Sequence, residues 1–116
     1  MITLASLLQQ SCTHQVQAVT DAERSAALAA LPDWKVEGGK LIRHFDFTDY
    51  HQTMAFVQAI TAVIHQEDHH PEMIVSYKHC TVKYDTHSVN DGKGGLSMND
   101  FICAAKIDDI AMQGFR

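Results

Sequence analysis

Only three cysteines occur in the 116 residues, Cys12, Cys80 and Cys103, widely spaced and without a CxxC pair. That odd, scattered set argues against a disulfide framework and a cysteine-built zinc ribbon, and favours a reducing cytoplasmic setting. Basic charge is also scarce: nine Lys and Arg against fourteen Asp and Glu, a formal net charge of −5 with histidines neutral. The basic residues form no run, so nucleic acid is not expected as a partner. No apolar stretch approaches the ~20 residues that span a bilayer. The opening MITLASLLQQSCTHQ lacks the basic start of a secretory leader, so neither membrane nor export is expected. Proline occurs twice, at Pro32 and Pro71, so each is a usable mark of where an element stops.

What remains is 46% hydrophobic and 20% charged, the balance of one globular domain with a single modest core. Residues 1–19 are weakly patterned and read as a loosely ordered arm with room for a helical turn. The domain proper is expected over residues 20–116. There TDAERSAALAAL carries a cap at Thr20 or Asp21 and stops before Pro32. WKVEGGKLIRHFDF reads as a hairpin about Gly38-Gly39, with Leu41, Arg43, Phe45 and Phe47 on one face and Ile42, His44 and Asp46 on the other.

TDYHQTMAFVQAITAVIHQ is the strongest helical pattern, with Thr48 as its cap. Its expected buried stripe runs through Tyr50, Met54, Val57, Ile60 or Thr61, and Ile64. That helix must end near Asp68 to His70, because Pro71 forces its predecessor out of helical angles. MIVSY and CTVKYDTH read as two strands joined at Lys78-His79, and SMNDFICAAKIDDIAM as a last helix capped by Ser97. The fold class is therefore α+β, a four-stranded antiparallel sheet with helices packed on one face, in the order α-β-β-α-β-β-α.

Chemistry concentrates in the histidines. Five of the eight, His65, His69, His70, His79 and His87, fall between residues 65 and 87. His69 and His70 sit where the long helix hands over to a strand, and one hairpin can return His87 to that corner. Three readings compete for them. A solvated cluster has no function. A zinc site could use His65 and His69, which share a helix face, with His87. Proton transfer suits a side chain whose ordinary pKa is about 6.5. The spacing alone leaves the last two open.

The run HQEDHHPEMIVSYKHCTVKYDTH followed by GGLSMNDFICAAKID resembles the pterin-4a-carbinolamine dehydratase family. That family's signature places an acidic, basic or histidine residue, then three intervening residues, then His-His-Pro, followed by an aromatic, a histidine and a downstream aspartate. His65, His69, His70, Pro71, Tyr77, His87 and Asp100 occupy those places. LPDW before a hairpin and FDFTDYHQTMAFVQAI also fit, so the resemblance covers roughly residues 20–113.

The resemblance implies the same α+β fold and dehydration of 4a-hydroxytetrahydropterin to quinonoid dihydropterin, the recycling step that serves aromatic amino acid hydroxylases. It implies a homodimer or homotetramer and no metal or organic cofactor. His69 and His87 would be the acid–base pair and His70 would orient the pterin, with Pro71, Thr86, Ser88 and Asp100 as further substrate-binding candidates. Each of these last four has a plain structural explanation too: a fixed corner, a good strand residue, a loop, a first helical turn. Tyr77 and Trp34 are expected in the core, as are Cys80 and Cys103.

Two features depart from the pattern: His65 stands where many relatives are acidic, and the loop SVNDGKGG is long. Some animal members act as dimerisation cofactors of a transcription factor, so a non-catalytic binding module is the alternative reading.

Overall fold

The structure, a computed structural model, describes residues 1–114. Its elements are α1 (Leu4–Leu8), α2 (Asp21–Ala30), β1 (Lys35–Glu37), β2 (Lys40–Asp46), α3 (Tyr50–Glu67), β3 (Glu72–Val75), β4 (His79–Tyr84) and α4 (Met98–Ala111). Gly38 and Gly39 both take positive φ, the geometry a two-residue hairpin needs, and join β1 to β2. The sheet order is β1-β2-β4-β3, antiparallel at every pairing. β2 and β3 both run against β4, so they are parallel to each other. α3 makes the crossover between them and β4 fills the gap.

Capping fixes the helix starts. Thr20 with Glu23 and Ser97 with Asp100 form reciprocal capping boxes for α2 and α4. α3 is capped by Asp49, not by Thr48: Asp49 accepts from the Gln52 N–H, while the Thr48 hydroxyl donates to the Gln52 side chain. The buried residues of α3 are Thr53, Phe56, Ile60, Ile64 and Glu67. Tyr50, placed in the core by its spacing, is the first residue of α3 and is 47% exposed. Tyr77 was also expected inside and is 62% exposed. The two rings stack on each other at 6.1 Å beside the turn between β3 and β4.

On the inner sheet face Leu41, Phe45, Cys80, Val82 and Tyr84 are buried, with Trp34 set edge-on to Phe45 at 6.2 Å. Arg43 shares that face and reaches Asp108 of α4 at 2.6 Å. The same carboxylate accepts from the Trp34 indole at 2.8 Å, so the buried charge has two donors.

α4 is apolar on nearly all sides: Phe101 through Ala105 and Ile107 are all buried. A helix of that kind needs cover on more than one face. α3 packs on one side and α1 on another. The helical turn expected in residues 1–19 is thus α1, which places Leu7 in the core at 0% exposure, a burial worth about 1.5–3 kcal/mol.

Candidate active site

α3 ends where Asp68 turns left-handed (φ 51°), a conformation that Asp tolerates better than most residues and that reverses the chain. The next residue, His69, is held from three directions. Its ring stacks on Tyr84 at 5.0 Å with planes 17° apart, and the Tyr84 hydroxyl donates to the His69 carbonyl at 3.1 Å. Its Nε2 lies 2.6 Å from Asp100 Oδ1. Asp100 is fully buried in the first turn of α4, and its second oxygen accepts from the Thr86 hydroxyl and the Ser97 N–H, both at 2.9 Å. The Ser97 hydroxyl in turn lies 2.7 Å from Thr86 Oγ1. The carboxylate thus has three hydrogen-bond partners, one of them the imidazole.

Burial pushes the His69 pKa down, but the hydrogen bond and charge of Asp100 outweigh it. The net direction is above the ordinary histidine value, so the imidazolium is favoured.

The strand reading that continued through residue 87 is nearly met. β4 ends at Tyr84, but Thr86 still pairs with Gly95, closing the loop at its base. The alternation persists across that break: Thr86 is buried while His87 points outward, exposed. The loop of residues 88–95 is folded rather than splayed, with Val89 at 0% exposure and the Asn90 amide donating to the Gly94 carbonyl. A Cβ on Gly95 would stand 2.6 Å from the Asn90 amide nitrogen, so a larger residue there would have to displace that side chain.

A cleft of about 490 Å³ opens at this corner, within the 300–1,000 Å³ common for small-molecule sites. His69, His70, Thr86, His87 and Ser88 all line it, so five of the seven candidates meet in one place. Asp100 does not reach the cleft and backs His69 from beneath. Pro71 is half-buried at the corner and contributes no lining. His65 is exposed and outside the lining, and His79 pairs with Asp46 at 2.7 Å, so the sequence cluster divides. Among the described residues no three His, Cys, Asp or Glu side chains gather as a metal-binding set.

Chain comparison fits this geometry. The sequence model of the family described as pterin 4 alpha carbinolamine dehydratase matches residues 17–110. The chain belongs to that family. A provisionally named pterin-4-alpha-carbinolamine dehydratase of Bdellovibrio bacteriovorus is 47% identical over 115 residues, covering 99% of this chain and 96% of its own. A relative of the same name from Chromobacterium violaceum is 44% identical over 107 residues, covering 90% and 95%. Among solved structures, a protein described as a transcriptional coactivator/pterin dehydratase from Brucella melitensis superposes with a TM-score of 0.73 at 31% identity, over 82% of this chain and 99% of its own. A pterin dehydratase-like protein described as a RuBisCO assembly factor of the alpha-carboxysome shares the fold, with a TM-score of 0.54 at 23% identity over 67% and 86%.

The fourth wall of the cleft lies outside the pterin dehydratase signature. Cys12, Thr13, His14 and Gln15, all from the arm, line it opposite the histidines. Three anchors hold that segment: Cys12 N–H donates to Glu67 Oε1 at 2.8 Å, Thr13 and Asn99 exchange hydrogen bonds in both directions, and the Ser88 hydroxyl donates to the Gln15 carbonyl. Glu67 also binds Lys106 at 2.8 Å, joining arm, α3 and α4. Sequence reasoning missed these residues. The available signal was the all-round apolar pattern of α4, which demands an extra covering segment.

Proposed function

We propose that the cleft dehydrates a 4a-hydroxytetrahydropterin to the quinonoid dihydropterin and water, in the recycling of a tetrahydropterin. The observation that carries the reading is the buried Asp100 carboxylate aimed at His69 on the wall of a cleft that His87 shares. Losing water from C4a needs one proton delivered to the departing hydroxyl and one removed from N5. No electrons change hands, so two imidazoles in opposite protonation states suffice. His69, favoured as imidazolium by Asp100, is the acid. His87, exposed at the rim and able to exchange with solvent, is the base, while His70, Thr86 and Ser88 orient the ring. General acid–base assistance of this kind is worth about 10²–10⁴-fold.

Asp100 also serves the α4 capping box, so its Oδ1 contact with the cleft-lining His69, rather than its burial, favours catalysis over a non-catalytic docking module. Replacing His87 with alanine should lower kcat by about 10²-fold while changing KM little. Loss confined to KM would remove His87 from the proton transfer and leave it a binding residue.

Self-association belongs to the same proposal. β1, at one edge of the sheet, carries Lys35 and Glu37 as an ion pair at 2.8 Å. β3, at the other, exposes Ile74 and Val75 beside Tyr77. Charged edges resist pairing and apolar ones invite it, which favours a homodimer or homotetramer through β3.

A further inference from the structure

The sulfurs of Cys12 and Cys103 lie 3.5 Å apart, and both cysteines are free. They are 91 positions apart in the chain and come from different layers. Cys12 belongs to the arm segment lining the cleft and is half-buried. Cys103 is in the middle of α4 at 0% exposure. Neither takes part in the proton transfers proposed above. The Glu67, Asn99 and Ser88 anchors already hold the arm at this spot, so the two sulfurs face each other in the resting fold rather than by excursion of a loose end.

We propose that Cys12 and Cys103 form an oxidisable dithiol, closed to a disulfide by a hydroperoxide, which fastens the cleft-lining arm covalently to α4.

The sulfurs need to approach by about 1.5 Å to reach bonding distance. Cys12 lies in irregular backbone, where such a shift disturbs no helical or sheet ladder. The steps balance. Cys12, which faces the cleft, is the sulfur a hydroperoxide can meet. Its S–O bond forms as the O–O bond breaks, and the alcohol or water leaves with the thiol proton. The Cys103 sulfur then attacks Cys12, the S–S bond forms, the S–O bond breaks and a water departs. The two thiols lose two electrons in total and the peroxide gains them. Once Cys12 is a sulfenic acid, Cys103, whose sulfur lies 3.5 Å away, is the thiol placed to attack it. A dithiol reductant reverses the reaction by exchange. The site is independent of the reaction assigned to the cleft.

The test uses the full chain with hydrogen peroxide, followed by a non-reducing tryptic digest and mass spectrometry. A linked pair of peptides containing Cys12 and Cys103, lighter by about 2 Da than the separate thiol peptides and split by dithiothreitol, is expected. Amide exchange of residues 10–16 should slow in the oxidised form, and Tm should rise by about 5–15 °C. In Cys12→Ser neither change should appear. Cys103→Ala should leave Cys12 to proceed to the sulfinic acid, and if that variant does not fold, the wild-type digest decides alone. Cys12 stopping at sulfinic acid in the wild type, a bond to Cys80 or between copies, or a Cys12–Cys103 bond that leaves arm exchange unchanged would each overturn the proposal.

Discussion

His69 is fixed by contacts of different kinds: a ring stacked on Tyr84, a carbonyl bound by the Tyr84 hydroxyl, and an Nε2 on Asp100. Removing the charge while keeping the shape separates electrostatics from positioning. Asp100→Asn should move the alkaline limb of the kcat/KM profile to lower pH, because the imidazolium loses the partner that sustains it. A limb that stays in place would show that His69 is not the acid. The same pair is linked to folding. A histidine whose pKa is raised in the folded state contributes stability that is fully present below its unfolded value, near 6.5, and is lost as pH rises through the folded value. Urea midpoints should therefore fall between pH 6 and pH 8 in the wild type, and the fall should shrink in His69→Ala.

At the scale of elements, Glu67 ties the arm to α3 and α4. Burial pushes the Glu67 pKa up, but Lys106 and the Cys12 N–H pull harder and the net direction is down. Its contribution is therefore present above the unfolded carboxylate value and is lost as pH falls through the folded one. Glu67→Ala leaves Lys106 and the Cys12 N–H without that acceptor and should cost about 3 kcal/mol in a urea melt, with limited proteolysis cutting first in residues 9–16.

These links explain what was and was not legible in the sequence. The hairpin about Gly38-Gly39, the stop at Asp68 and the Ser97 cap are local events in which a few residues determine the backbone. The β4 parity likewise carried His87 to the His69 corner, because alternation survives the loss of ladder pairing after Tyr84. The core positions of Tyr50 and Tyr77 failed, since Tyr50 is the first residue of α3 and Tyr77 lies in the turn between β3 and β4, where neither ring is covered by the core. The course of residues 9–16 was not legible for a different reason. Nothing within residues 9–16 forms regular structure; Glu67, Asn99 and Ser88 specify their place from far along the chain.

For the whole molecule, the two sheet edges differ in character, and only β3 offers apolar side chains beside an unpaired backbone. Val75→Lys should shift sedimentation of the purified protein to the monomer, while Lys35→Ala on β1 should leave its assembly unchanged. Pairing through β3 leaves the histidine corner at the opposite end of its own hairpin from the Tyr77 turn, so a monomer should retain the cleft residues.

The central claim is that histidines alone, arranged by Asp100, dehydrate a pterin carbinolamine in this cleft. The most direct measurement follows the ultraviolet change of 4a-hydroxytetrahydropterin with EDTA present, for wild type and His69→Ala. Acceleration by the wild type that is lost in His69→Ala is the predicted result. No acceleration over buffer, or equal acceleration by both proteins, would contradict it.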